Sequence, residues 1–268
     1  MNIQTYLDTL NLETTSLGLK QIQELQVKHL VNYSFSSINA MKPDLLPLEL
    51  NDVLDRLIAK RQGGYCFEHN KIAFEALKYL GYDVQLLLAR VKLSGAQDNA
   101  RTHRITLVHL GDESYVVDVG FGSKNPLAPI NVTRSGFVEI GSMRYWVDRN
   151  EQEFEIKLVE PEEVILYSAD FSHANENDCN VGHFFSHQHP SSGFVQNLVL
   201  SRNEGHTIHT LRNLLLKTYD VATNTSQEVT LTSVDALKQV IEAQFLVSLN
   251  NTDIQFIFDK AQANMLSQ

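Results

Sequence analysis

The chain has little cysteine, no excess of positive charge and no long apolar run, and each shortage excludes a class of protein. Its 268 residues include only 2 cysteines, Cys66 and Cys179, which are too few for a framework of disulfide bonds. In a reducing compartment a single bridge between them would be unusual. The two thiols are therefore interpreted separately.

Charge and hydropathy argue against two kinds of partner. The formal net charge is -10, whereas a nucleic-acid or anionic-membrane surface needs a basic patch, and none is visible. The sequence starts without the basic and apolar segments of a signal peptide, and no stretch approaches the roughly 18 apolar residues of a spanning helix. We therefore expect a cytoplasmic protein that binds neither nucleic acid nor membrane.

The length and the hydrophobic pattern predict one compact body with two or three subdomains. Residues 10–89 have mainly helical periodicity, and a helix is predicted from Cys66 to residue 80, where Gly81 ends it. From residue 83 onward the apolar residues follow the period of short strands instead, and this pattern favours a small antiparallel barrel or curled sheet. The predicted strands cover residues 84–91, 103–110, 114–119, 143–147, 153–158, 195–201, 207–219 and 228–231. The last two helices are predicted over residues 234–246, after a Ser233 cap, and 253–263, after Thr252.

Cys66 lies at a predicted helix N-terminus, directly after a segment that contains Gly63 and Gly64. The partial positive charge at a helix N-terminus favours a thiolate, which is the form of cysteine that attacks carbonyl groups. The two glycines let the backbone turn tightly and let a substrate approach the sulfur. The alternative is a buried structural cysteine, and the residue alone does not exclude it.

A predicted hairpin supplies partners for this thiol. If residues 111–112 form a two-residue turn, Leu110 pairs with Glu113. His103 and Asp118 then project from the same face as diagonal neighbours, so the aspartate can orient the imidazole that activates Cys66. A slip of one residue would put them on opposite faces, and the alternative is a pair with no role beyond the edge of a barrel.

Three ordered motifs resemble the arylamine N-acetyltransferase family. They are RQGGYCFEHN (residues 61–70), RTH (residues 101–103) and VDVGFG (residues 117–122). The resemblance covers essentially the whole chain: FSSI (residues 35–38) stands where the family has PFENL, and Pro190, Ser192 and Phe194 resemble the end of a later family segment.

The resemblance implies a catalytic triad of Cys66, His103 and Asp118. It implies an α+β fold with a cysteine-protease-like core: an N-terminal helical bundle (residues 1–83), a central antiparallel β-barrel (84–190) and a C-terminal α/β lid (191–268). It implies acetyl-CoA as co-substrate, with no permanently bound cofactor and no metal. Acetyl would pass through a Cys66 thioester to an arylamine, arylhydrazine or N-hydroxyarylamine by a ping-pong mechanism.

The resemblance also suggests residues that bind substrate. Phe35 and Phe121 match aromatic positions that line the acceptor pocket in the family, although both are also explained as ordinary core aromatics. Gly120, Gly122 and Ser123, in the turn after Asp118, are expected to offer backbone N–H groups to the acyl donor.

The sequence departs from the family pattern at two pairs of positions. Gln62 and Ser36 replace an arginine and a glutamate that are plausible partners in the family, so losing both leaves no orphan charge. His183 and His187 replace an asparagine and a serine, which puts in doubt the polar contacts of that segment. No cysteine or carboxylate stands at zinc-site spacing from these two histidines or from His189, His206 and His209, so metal binding is not expected.

Other functions remain open at this stage. Cys179 is interpreted as an inert thiol because it lacks a glycine pair, a histidine partner and a helix start. An amide synthase that acts on a carrier-bound acyl chain would use the same residues. A papain-like hydrolase and a non-catalytic binding module are the remaining alternatives, and the chain is expected to be a monomer or homodimer.

Overall fold

The computed structural model describes residues 1–266. Its first part is helical. The helices are α1 (Ile3–Leu10), α2 (Leu19–Asn32), α3 (Ile38–Met41), α4 (Leu50–Val53), which continues into a π-helical turn (Leu54–Ala59), and α5 (Cys66–Leu80). Both predicted ends of α5 are confirmed, and Gly81 ends it in the left-handed region with φ 99°.

An antiparallel sheet of eight strands follows and curls into a barrel-like form. Its strands are β2 (Asp83–Val91), β3 (His103–Leu110), β4 (Glu113–Val117), β5 (Ile130–Asn131), β6 (Gly136–Ile140), β7 (Met143–Arg149), β8 (Glu153–Glu160) and β9 (Val164–Asp170). Their order is β5-β4-β3-β2-β9-β8-β7-β6. Helix α5 packs against β3, which brings the helix that carries Cys66 onto the strand that carries His103.

A second antiparallel sheet joins the N-terminal helices to the end of the chain. Its strands are β1 (Phe35–Ser36), β10 (Val199–Asn203), β11 (Thr207–Arg212), β12 (Leu215–Asp220) and β13 (Thr225–Thr230), in that order. The remaining helices are α6 (Glu176–Gln188), α7 (Gly193–Gln196), α8 (Val234–Ala243) and α9 (Asn251–Leu266). Buried side chains of α8 and α9, among them Leu237, Ile241 and Ile257, share one apolar cluster with Leu200 and Leu211 of this sheet.

The predicted register of the β3–β4 hairpin is confirmed. Leu110 pairs with Glu113 across the turn at residues 111–112, and the ladder continues to Thr106 and Val117. Strand β4 ends at Val117, two residues earlier than predicted, so Asp118 lies just past the ladder. The mixed α and β class and the antiparallel barrel-like sheet agree with the expected architecture.

The predictions for the final third were partly wrong. Residues 195–201 begin in the short helix α7 rather than in a strand, and residues 207–219 form two strands, because a turn at residues 213–214 reverses the chain. Helix α9 begins at Asn251, one residue after Asn250, whose Oδ1 accepts the amide N–H of Asp253 at 2.8 Å, so Thr252 is not its cap. Helix α6 and strands β1, β5, β6 and β9 were not predicted.

None of the helices within residues 1–266 combines the length and the apolar character needed to cross a membrane.

Candidate active site

Cys66 is the first residue of α5, and its backbone amide belongs to the positive end of that helix. Gly63 enters the turn before it with φ 70°, a conformation that L side chains rarely adopt. Cys66 is only 4% exposed, and its Sγ donates to the backbone carbonyl of Thr102 at 3.6 Å. The thiol thus lies at the helix terminus, next to the chain segment that leads into His103.

His103 and Asp118 form a buried ion pair beside this thiol. The Nε2 of His103 lies 2.7 Å from Oδ2 of Asp118, and each side chain is 2% exposed. Because an ionised carboxylate only accepts hydrogen bonds, Nε2 carries the proton in this contact. Nδ1 is therefore left to face Cys66, which lies close enough to the ring to raise the pKa of His103. The structure thus brings together the three side chains that the sequence singled out.

Burial and the charge of the partner shift the pKa of each member of this pair in opposite directions. Burial alone would lower the pKa of His103, but the negative charge and hydrogen bond of Asp118, together with Cys66, raise that pKa to about 10. Burial alone would raise the pKa of Asp118, and the imidazolium with the hydrogen bonds of Asn70 and Gly120 holds that pKa below its usual value. The imidazole is therefore held in its charged form next to the sulfur.

Asn70 fixes the helix to the hairpin and was missed in the sequence. Its Nδ2 donates to Oδ1 of Asp118 at 2.9 Å and to the backbone carbonyl of Arg104 at 2.6 Å, while its Oδ1 accepts the amide N–H of Val119 at 2.9 Å. The signal was its spacing, because a residue four positions after Cys66 lies on the same face of a helix.

Gly120 lies where the turn after Asp118 touches α5. A Cβ at this position would lie 2.8 Å from the Cα of Cys66 and 2.9 Å from Nδ2 of Asn70. Both distances are shorter than real contacts allow, so only glycine brings the turn this close to the helix.

The predicted substrate residues lie in different places. The ring of Phe121 packs against His103 and Tyr167 at centroid distances of 5.1 Å, and Tyr167 was also missed in the sequence. Phe35, Gly122 and Ser123 line a small cleft between the end of α2, the turn after Asp118, and strands β10 and β11 of the second sheet. Ser123 also lines a cavity of about 760 Å³, which lies between the barrel-like sheet and strands β11 and β12.

The remaining cysteine and histidines lie outside this site. Cys179 lies in the first turns of α6, which Asn175 caps, so the expectation that it lacks a helix start was wrong. Its burial raises the pKa of this thiol to about 11. His183 accepts from the Tyr65 hydroxyl at 2.6 Å and donates to the Leu46 carbonyl at 2.7 Å. Within residues 1–266, no three His, Cys, Asp or Glu side chains are grouped to hold a metal ion.

Comparison with known sequences places the chain in a family. A family model described as N-acetyltransferase matches residues 18–254. An arylamine N-acetyltransferase / N-hydroxyarylamine O-acetyltransferase of Salmonella typhimurium is 28% identical over 253 residues, which cover 92% of this chain and 89% of the relative. An arylamine N-acetyltransferase of Escherichia coli is 27% identical, and the match covers 91% of this chain and 88% of that relative. The chain belongs to the arylamine N-acetyltransferase family.

Solved structures have the same fold. The arylamine N-acetyltransferase of Salmonella typhimurium superposes with a TM-score of 0.89 at 23% identity, over 96% of this chain and 97% of that one. The arylamine N-acetyltransferase of Mycobacterium marinum in complex with CoA gives a TM-score of 0.89 at 25% identity, over 97% and 99% of the two chains.

Proposed function

We propose that this chain is an acetyl-CoA-dependent arylamine N-acetyltransferase, with Cys66, His103 and Asp118 as its catalytic residues. The observation that carries the proposal is the buried 2.7 Å contact between His103 and Asp118, beside a Cys66 thiol that helps to raise the pKa of His103. Family membership and the CoA bound to the Mycobacterium marinum relative support acetyl-CoA as the donor.

The first half of the reaction moves acetyl onto the enzyme. The Cys66 thiolate attacks the carbonyl carbon of acetyl-CoA, and the bond from that carbon to the CoA sulfur breaks. The leaving CoA thiolate takes the proton of the His103 imidazolium, whose charge Asp118 had stabilised. The product is a Cys66 thioester, and exchange of one thioester for another is nearly thermoneutral.

The second half moves acetyl to the acceptor. The amine of an arylamine, arylhydrazine or N-hydroxyarylamine attacks the thioester carbonyl, and neutral His103 accepts the proton that the nitrogen loses. The carbon–sulfur bond breaks, and Cys66 leaves as the thiolate beside the regenerated imidazolium. Because CoA departs before the acceptor reacts, the two substrates need not be bound together.

We assign substrate contacts to the turn after Asp118. The cavity of about 760 Å³ that begins at Ser123 is the place proposed for CoA, because its volume suits a ligand of that size and both sheets line it. Phe35 and Gly122, in the adjoining cleft, and Phe121, against His103, are proposed to border the acetyl group and the acceptor.

We also propose a division of labour along the chain. Residues 1–83 supply the nucleophile, residues 84–190 supply His103 and Asp118, and residues 191–268 act as a lid. A helix that begins with the cysteine, packed on a sheet that carries the histidine and leads directly into the aspartate, is the arrangement of a cysteine-protease-like core. Two free cysteines suit the reducing cytoplasm, where we expect a monomer or homodimer.

Incubation with acetyl-CoA alone tests the proposal. One acetyl group should appear on Cys66, detected by intact mass and peptide mapping, and free CoA thiol should be released. Cys66→Ala should abolish labelling, and Asp118→Asn should slow it by orders of magnitude because the imidazolium loses its stabilising charge. Labelling that persists in Cys66→Ala, or labelling only from an acyl chain on a carrier protein, would contradict the proposal.

A further inference from the structure

A buried ion pair ties the first turn of α5, the helix that begins at Cys66, to the π-helical turn before it. Nε and Nη2 of Arg56 donate to Oε1 of Glu68 at 2.8 and 2.6 Å. The Glu68 side chain is 0% exposed and that of Arg56 is 12% exposed. The triad chemistry uses neither residue, although Glu68 lies only two positions after Cys66 on α5.

Glu68 also holds the start of α5. Its second oxygen, Oε2, accepts the backbone N–H of Tyr65 at 3.1 Å, so the carboxylate satisfies an amide of the residue directly before Cys66. The Glu68 carboxylate and the Leu57 side chain pack closely against the backbone of Gly64, because a Cβ on Gly64 would lie 3.0 Å from the same oxygen and 2.7 Å from Cδ1 of Leu57. A small movement of the carboxylate would therefore shift the backbone that carries the sulfur.

Arg56 comes from the π-helical turn Leu54–Ala59, whose wider winding is rare and often lies at functional sites. Its Nη2 also donates to the carbonyl of Pro47 at 3.0 Å, so the guanidinium is held from two sides. The other titratable groups around Glu68 are Tyr65, directly before Cys66, whose pKa burial raises, and His69 on α5 and His187 on α6, whose pKa values burial lowers. His183, on α6 near Arg56, has a pKa lowered to about 4, also by burial. Because these histidines are neutral, the positive charge that balances the Glu68 carboxylate comes from Arg56.

We propose that Arg56 and Glu68 are positioning residues for the nucleophile: Glu68 fixes the first turn of α5, and Arg56 cancels the negative charge that Glu68 would otherwise place beside the Cys66 thiolate. The inference rests on the proposed function only in naming Cys66 as the nucleophile. It predicts that the charge of this pair controls how readily Cys66 ionises, without either residue touching a substrate.

The test is the rate of Cys66 alkylation by iodoacetamide as a function of pH, with peptide mapping to separate Cys66 from Cys179. Arg56→Met should move the midpoint of this curve up by about one pH unit, because an uncompensated negative charge opposes the thiolate. Glu68→Gln should move the midpoint down, because Arg56 then acts unopposed. Arg56→Met/Glu68→Gln should return the midpoint to within about half a unit of wild type.

An exposed ion pair between Asp55, on the same turn, and Lys60, directly after it, provides a matched control. Its atoms are 2.6 Å apart, but the side chains are 50% and 60% exposed, so Lys60→Met should leave the midpoint unchanged. An unshifted midpoint in Glu68→Gln overturns the proposal even if Arg56→Met does not fold. Alkylation needs no acetyl-CoA, so shifted midpoints without self-acetylation would refute the proposed function and leave this inference standing.

Discussion

His103 combines a buried position with a positive charge, and only a partner close by makes this possible. Taking an imidazolium out of water is unfavourable, and Asp118 at 2.7 Å more than offsets that cost, as the raised pKa of His103 indicates. Asn70 and the Gly120 amide in turn donate to Oδ1 of Asp118, so the carboxylate is held by three neighbours. The charge of the site is therefore set by contacts within the protein.

The same pair makes folding stability depend on pH. The pKa of His103 rises from about 6.5 in an unfolded chain to about 10 in the folded one. The stabilisation is therefore full below about pH 6.5, decreases as the pH rises, and is lost above about pH 10. Asp118 has the opposite sign: its pKa is lowered, so its contribution is lost only as the pH falls through that lowered value.

We expect the difference in unfolding free energy between wild type and His103→Gln to shrink steadily as the pH rises from about 6 to about 10. Urea unfolding at several pH values measures this difference, and titrating groups remote from His103 cancel because both proteins contain them. His109→Gln on the same strand is the control, since that ring is hydrogen bonded to the Ser114 hydroxyl and forms no ion pair within residues 1–266. A difference that stays constant over this range would mean that His103 is not charged in the fold.

The sequence could predict the three side chains of the triad but not the residues that hold them. A helix start and a hairpin register, which are local properties, made Cys66, His103 and Asp118 candidates, and the resemblance of three motifs to the arylamine N-acetyltransferase family selected them. Asn70 and Tyr167 depend on how α5 and β9 pack against the hairpin, and periodicity does not determine such long-range contacts.

At the level of single elements, the predictions were right where turn residues are distinctive. Glycine marks both the end of α5 and the β3–β4 turn, and both were found. The β11–β12 turn contains Asn213 in the left-handed region with φ 52°, followed by the buried Leu214, so an apolar residue concealed the reversal. Helix α6 did have a local signal, since Asn175 and Asp178 form a capping box.

The start of α9 gives an element-scale prediction with a matched control. Asn250→Ala removes the oxygen that accepts the Asp253 amide and should lower the free energy of unfolding by about 1 kcal/mol. Thr252→Ala, inside the first turn, should change it by much less, because no hydrogen bond of that side chain supports the helix start. Urea unfolding of both variants measures the two effects. Equal losses of unfolding free energy in the two variants, or a larger loss in Thr252→Ala, would show that Asn250 is not the cap of α9.

At the scale of the whole molecule, the two sheets face each other across the cavity of about 760 Å³. Ser142 and Tyr145 line it from the barrel-like sheet, and Ile208 and Lys217 line it from the second sheet. Strand β1 places Phe35, from the N-terminal part of the chain, at the edge of the second sheet. Phe35 lines the small cleft and not the large cavity, so a ligand in the cavity contacts Phe35 only if it extends into that cleft. Ser123 lies at that junction and lines both spaces.

If CoA occupies this cavity, it should stabilise the folded chain by about 2.7 kcal/mol at a concentration one hundred times its Kd. Ser142→Trp should fill part of the space from an exposed turn, so the rise in melting temperature caused by CoA should largely disappear. Alkylation of Cys66 by iodoacetamide should stay as in wild type, because the thiol lies on α5 and not in this cavity. Asp112→Trp, at an exposed turn away from the cavity, should keep the full response to CoA. An undiminished CoA effect in Ser142→Trp would place the ligand elsewhere.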